Sequence, residues 1–264
     1  MDEALQSELR RVAHDCADAA ATETLRYFRA RGLEAETKDA AGFDPVTEGD
    51  RRAERAMRRV LARLRPDDGI LGEEEGHSPG ESGLTWVLDP IDGTRGYLAG
   101  TPTWGTLISV ADAGGPLFGL IDQPHIGERF EGGFGHATLT ARQGDRALAT
   151  RGTGALAEAI LFTTFPEVGT PDDRARFERV SARVRLTRYG MDCYAYALVA
   201  GGHADLVIEA GLAAYDIQAP MAVVEAAGGV VTDWEGGPVH GGGRAVAAAN
   251  ATLHKAALEA LNGG

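Results

Sequence analysis

Apolar residues recur at intervals of three and four near the start of the chain, where Leu5, Val12, Ala13, Cys16, Ala20, Leu25 and Phe28 fall within residues 4–31. Side chains at that spacing share one face of a helix, so this stretch predicts one long helix. A second helical pattern covers Glu48–Leu64, with Ala53, Ala56, Met57, Val60 and Leu61 facing inward, and Pro66-Asp67-Asp68-Gly69 ends it. Short apolar runs predict strands at 70–72 and 85–88, the second stopped by Pro90. Gly-rich turns separate strand-like runs at 105–111, 116–122 and 129–132, the pattern of an antiparallel meander. Farther on, strands at 159–163, 205–208, 230–232 and 246–249 alternate with helices at 172–184, 193–201 and 217–227, and a last helix closes near 261. Helices grouped around two sheets predict a layered α+β fold. No repeat or linker interrupts it, so residues 1–264 read as a single unit with a soft division near 150 between an α+β half and an α/β half.

Composition narrows the class. With 264 residues, 44% of them hydrophobic and 25% charged, the chain can bury a sizeable core. A net charge of −13 argues against nucleic acid as a partner. It does not exclude a small phosphate, because divalent cations can reverse the sign of one site. No run approaches the ~20 apolar residues of a membrane span, and Met1-Asp2-Glu3-Ala4 lacks the pattern of a signal peptide. Cys16 and Cys193 form no Cys-x-x-Cys pair and no disulfide framework. These features predict a cytoplasmic protein with no membrane partner.

The candidate chemistry lies in acids placed where strands and helices end. Asp89 and Asp92 follow an apolar strand across Pro90, and Gly93-Thr94 then opens a turn or short helix whose N–H groups could hold a phosphate. Two carboxylates that close repel each other, and a hard divalent cation with oxygen ligands, such as magnesium, removes the conflict. The competing reading is a capped turn, since Asp, Pro, Gly and Thr all favour turns. Glu73 ends the preceding strand. Asp44-Pro45-Val46-Thr47-Glu48-Gly49-Asp50 surrounds a helix start that Asp44 or Thr47 could cap. Asp216 opens a later helix, where it reads equally well as an N-terminal helix charge. Together these acids could hold two or three metals, and a pair roughly 4 Å apart would clamp the attacking water and the leaving oxygen of a phosphate ester.

Asp44-Pro45-Val46-Thr47-Glu48-Gly49-Asp50, Gly72-Glu73-Glu74, Trp86-Val87-Leu88-Asp89-Pro90-Ile91-Asp92-Gly93-Thr94 and Tyr215-Asp216-Ile217 with Glu225-Ala226-Ala227-Gly228-Gly229 resemble the motifs of the inositol monophosphatase family, in the family's order. The resemblance implies a five-layered αβαβα sandwich and magnesium-dependent, lithium-sensitive hydrolysis of a small phosphate monoester, with two to three Mg2+ per site. It also implies a homodimer. Carried onto matching positions, Glu73, Asp89, the Ile91 carbonyl, Asp92 and Asp216 would hold metal, and Asp50 would help hold a further, weaker ion. Glu73 and Thr94, with Asp50 behind them, would orient and activate the attacking water, and the Gly93 and Thr94 backbone would bind phosphate. A binding or regulatory relative that had lost activity would be expected to lack one of these carboxylates, and each is present.

Three other segments resemble the histidinol-phosphatase branch of that family: Thr103-Trp104-Gly105-Thr106-Leu107-Ile108, Gly119-Leu120-Ile121-Asp122-Gln123-Pro124 with Gly127-Glu128-Arg129-Phe130, and Arg188-Tyr189-Gly190-Met191-Asp192-Cys193-Tyr194-Ala195-Tyr196. Asp192 falls where inositol phosphatases have a small residue, and an acid there suits a cationic alcohol through a charge-assisted hydrogen bond. Glu209 could engage the same amine, and Arg188 is a further candidate for substrate contact. Asp192 reads otherwise as the cap of the helix at 193–201. Gln218-Ala219-Pro220-Met221-Ala222 and Arg95, where Lys commonly stands, depart from that branch. Inositol-1-phosphate, a sugar phosphate and 3′-phosphoadenosine 5′-phosphate therefore stay open as substrates.

Overall fold

The computed structural model describes residues 1–31, 35–37 and 45–264; Asp44, one of the two candidate caps, lies outside them. Helix α1 (Glu3–Tyr27) starts where Asp2 accepts the Leu5 N–H at 2.8 Å, and it buries Leu9, Val12, Ala13, Cys16 and Ala20. It ends at Tyr27 rather than at 31, because Arg29 takes a left-handed conformation with φ 59°. Strands β1 (Ala35–Thr37) and β2 (Pro45–Thr47) pair antiparallel. Helix α2 (Glu48–Leu64) follows, opened by a reciprocal cap between Thr47 and Asp50.

The next strands are β3 (Gly69–Gly72), β4 (Gly76–Ser78) and β5 (Thr85–Asp92), with the short helix α3 (Thr94–Ala99) after them. Then come β6 (Gly105–Asp112), β7 (Gly115–Gln123), β8 (Glu128–Gly133), β9 (His136–Ala141) and β10 (Arg146–Ala147). They form one sheet in the order β10-β9-β8-β7-β6-β5-β3-β4, in which β3 and β5 are parallel and the other pairs antiparallel. The predicted meander is present and extends to β9 and β10. Pro90 does not stop β5. The parallel partner β3 ends at Gly72 opposite Leu88, so beyond that point one edge of β5 needs no ladder and a residue without an N–H is tolerated. On the other edge the register against β6 shifts between Asp89 and Asp92, and the Thr106 hydroxyl donates to the Pro90 carbonyl at 2.8 Å.

The second sheet is built from β11 (Ile160–Thr163), β12 (Leu186–Tyr189), β13 (Leu206–Leu212), β14 (Val230–Thr232) and β15 (Gly243–Ala248), ordered β12-β11-β13-β15-β14. Its helices are α4 (Pro171–Ser181), α5 (Asp192–Ala200), α6 (Ala214–Ala226) and α7 (Ala251–Leu261).

Three buried clusters stack these parts into layers. Leu9, Met57 and Leu61 of α1 and α2 pack on Trp86, Leu88 and Phe118 of the large sheet. Tyr196 and Val199 of α5 and Ile217 and Val223 of α6 pack between Leu107 and Ile121 of that sheet and Val207 and Ala247 of the smaller one. Phe177, Leu253 and Leu261 of α4 and α7 cover the far face of the smaller sheet at Leu161 and Ile208. The order is α1/α2, sheet, α5/α6, sheet, α4/α7: the αβαβα sandwich that the motifs imply. The central layer is tight, for a Cβ on Gly119 of β7 would lie 2.4 Å from the Ala219 carbonyl oxygen of α6. The small residues around Pro220 thus fit a helix pressed against backbone. No helix among the described residues is long and apolar enough to cross a membrane.

Candidate active site

In a regular strand, residues three apart face opposite sides. The register shift in β5 turns Asp92 back toward Asp89, and one carboxylate oxygen of each lies within 4.8 Å of one on Asp216, the third residue of α6. Each acid is also anchored. Asp89 Oδ1 accepts the Ile91 N–H at 3.0 Å, Asp92 Oδ2 accepts the Cys193 N–H at 2.6 Å, and Asp216 Oδ2 accepts the Ala213 N–H at 2.7 Å. Glu73, just past β3, lines the same cavity as Asp89 and acts on its carboxyl.

The electrostatics follow from this crowding. Burial, reinforced by Glu73, Asp92 and Asp216, holds the Asp89 carboxyl well above its ordinary value. Burial followed by Asp192 and Asp216 does the same for Asp92, against the hydrogen bond from Cys193. Asp216 is pushed up to about 7, chiefly by burial, with Glu73 and Glu209 adding to it. Ionised carboxylates are acceptors only, so acids in such contact need a shared proton or a cation between them. A cluster of buried oxygen donors fits a hard divalent ion. Asp50 stands behind this group. Its Oδ2 accepts the Thr47 N–H at 2.8 Å and also the Thr47 hydroxyl, while its buried Oδ1 has no hydrogen-bond partner. Burial pushes Asp50 up to about 7, against those two bonds and with help from Glu74 and Glu73.

Glu73, Asp89, Ile91, Asp92, Gly93, Thr94, Asp192, Glu209 and Asp216 line one cavity of ≈ 270 Å³. Gly93 has φ 83°, a left-handed conformation that opens α3 at Thr94, and the Thr94 hydroxyl donates to the Ile91 carbonyl at 3.0 Å. Asp192 lies over this turn, since a Cβ on Gly93 would sit 3.0 Å from its Cγ. Asp192 does not cap α5. Its own φ is 46°, and the Cys193 N–H goes to Asp92, a partner from the other half of the chain. Burial, then Glu209, pushes Asp192 up to about 7, opposed by Arg95. Glu209 is buried, with Oε1 accepting the N–H and hydroxyl of Thr164 and Oε2 accepting the Tyr196 hydroxyl at 3.0 Å. Asp50 and Arg188 are not among the lining residues, and Arg188 is exposed on β12.

Arg95 and Phe165 are among the lining residues without a role in the sequence reading. The Arg95 guanidinium sits 4.6 Å from the centre of the Phe165 ring, and Phe165 is 43% exposed at the cavity. The available signal for Phe165 is its place just after β11, at a strand end.

Carboxylates gathered at strand and helix ends around one cavity are a donor set suited to a metal-assisted phosphoric monoester hydrolase. The sequence profile described as the inositol monophosphatase family matches residues 5–263, and the chain belongs to that family, which is metal-dependent. Its relatives include the chloroplastic bifunctional phosphatase IMPL2 of Arabidopsis thaliana, 39% identical over 95% of this chain and 74% of the relative. The histidinol-phosphatase of Streptomyces coelicolor is 37% identical over 96% of both chains. An inositol monophosphatase from Zymomonas mobilis superposes with a TM-score of 0.86, at 37% identity over 99% of this chain and 100% of the other.

Proposed function

We propose that the chain hydrolyses histidinol phosphate to histidinol and phosphate, with magnesium held by Glu73, Asp89, the Ile91 carbonyl, Asp92 and Asp216. When bound, magnesium would neutralise the ester oxygens and acidify the attacking water. Asp50 Oδ1, buried and unpartnered among the described residues, suits a further and weaker ion. Thr94 donates its proton to the Ile91 carbonyl, so its oxygen is oriented to accept from a water that Glu73 also holds. The N–H groups of Gly93 and Thr94 would bind the phosphate, and Asp92 ties the start of α5 to this end of the cavity.

The observation that carries the substrate is Asp192, a carboxylate packed over the Gly93 turn in the same cavity as Glu209. Two acids on one flank favour a cationic alcohol over a neutral polyol. The histidinol-phosphatase relative from Streptomyces coelicolor supports the same choice. Inositol-1-phosphate is the second reading, favoured by the likeness to the Zymomonas mobilis enzyme. Purified protein assayed with magnesium on both esters decides between them. Turnover of histidinol phosphate should exceed that of inositol-1-phosphate, and the reverse order would overturn the assignment.

A further inference from the structure

Glu73 enters the cavity from the turn between β3 and β4, and that turn is held by an acid outside the cavity. The Glu73 N–H donates to the Leu88 carbonyl of β5 at 3.1 Å. The next two N–H groups go to one side chain on α2: Glu74 N donates to Glu54 Oε2 at 2.7 Å, and Glu75 N to Glu54 Oε1 at 3.0 Å. Glu54 is fully buried. Arg58, one turn later, donates from Nε to Glu54 Oε1 at 2.8 Å, from Nη2 to the Gly76 carbonyl at 2.5 Å and from Nη1 to the Ser78 hydroxyl at 3.1 Å. The approach is close enough that a Cβ on Gly72 would lie 2.1 Å from Glu54 Oε1.

Burying an ion pair is a poor route to stability, since well-packed apolar residues of similar volume do as well or better. A pair kept only for charge balance would not need both carboxylate oxygens on the backbone next to Glu73. Asp50 lies four residues before Glu54, so both acids project from one face of α2.

We propose that Glu54 is a positioning residue for Glu73, whose two hydrogen bonds to the turn fix the Glu73 carboxylate in the cavity and set it against Asp50 through α2. The proposal rests on the reading of Glu73 as a metal-holding carboxylate. Glu54→Gln replaces one acceptor oxygen with a donor that faces an N–H, while size is kept. Hydrogen-bond partners behind metal-holding side chains typically change metal affinity by about 10–100-fold when mutated.

Calorimetric titration of magnesium into the full chain, beside rate measurements on histidinol phosphate and inositol-1-phosphate, tests it. Glu54→Gln should weaken magnesium binding about tenfold or more. Its loss of rate should be largely recovered by excess magnesium, with KM for the ester changed less than about twofold. A merely structural role would give a loss that magnesium does not recover. Wild-type affinity and kcat in folded Glu54→Gln overturn the proposal, while weakened binding in Glu73→Gln shows that the reading of Glu73 still stands. Undiminished affinity in Glu73→Gln overturns that reading instead. Should Glu54→Gln fail to fold, Gly72→Ala pushes the Glu54 carboxylate off the turn. A raised magnesium requirement there supports the proposal, and an unchanged one overturns it.

Discussion

The Asp92 carboxylate accepts the backbone N–H of Cys193 at 2.6 Å, joining the last residue of β5 to the second residue of α5. One side chain thus belongs to the acidic cluster and also caps a helix whose own flanking residue, Met191, supplies no side-chain bond. Asp92→Asn keeps an oxygen for the Cys193 N–H and removes a charge from a crowded acidic group. Turnover with magnesium should fall by more than about 100-fold, beyond what loss of an outer hydrogen bond does. The melting temperature in chelator should hold or rise, because one repelling charge is gone. Near-normal turnover would refute the metal role of Asp92.

Asp192→Ala separates substrate recognition from support of the local fold. Loss of one hydrogen bond to a charged group is worth about 1.5–3 kcal/mol. KM for histidinol phosphate should therefore rise about tenfold or more, and KM for inositol-1-phosphate less than about twofold. Equal rises for the two esters would mean that Asp192 only shapes the Gly93 turn.

Gly119→Ala tests how the fold sets the site. Its methyl would meet the Ala219 carbonyl oxygen at 2.4 Å and the Ala219 Cα at 2.8 Å, so α6 must shift, and α6 carries Asp216. Overpacking of this kind destabilises by about 1–3 kcal/mol. Thermal denaturation should show that loss, and magnesium affinity should fall with it. Full affinity in a destabilised protein would mean that Asp216 is held independently of α6 packing.

Asp68, which does not line the acidic cavity, supplies a separate pH dependence. Burial works to raise its carboxyl, but hydrogen bonds from Arg65, Ser82 and Trp86 outweigh burial and leave it below the ordinary value of 3.8. Because the folded value is depressed, the unfolded chain takes up the proton first. The contribution is complete above the unfolded pKa of about 4 and is lost as pH falls through it toward the folded value. Asp68→Asn should lower stability at neutral pH by about 2 kcal/mol. It should also flatten the decline of melting temperature below about pH 5, where the wild-type carboxyl takes up its proton. An acid limb as steep as that of the wild type would exclude this role.

Long periodic segments and strand-end acids were legible in the residues alone. The face of α2 and the meander needed only spacing, while Glu73, Asp89, Asp92 and Asp216 became a set through the motifs that resemble a known family. What escaped depends on partners distant in sequence. Pro90 reads as a strand stop until β3 is seen to end beside it. The edge strand β12 is mostly exposed and lacks apolar alternation, so nothing local marks it. Asp192 looks like a cap because Asp92, which takes the Cys193 N–H, is distant in the chain. Glu54 and Arg58 carry no sequence motif, and only the fold brings the Glu73 turn against them.

The acidic cluster draws Glu73, Asp89 and Asp92 from the large-sheet side and Asp216 from α6, in the second half of the chain. Without a cation, four acids crowd one another where α6 meets the large sheet. A bound cation would turn the same acids into a latch between α6 and the large sheet. An ion present at 100 times its dissociation constant adds about 2.7 kcal/mol to the assembled state. A cation would therefore hold α6 to the large sheet through its charges as well as through the packed face at Gly119 and Ala219.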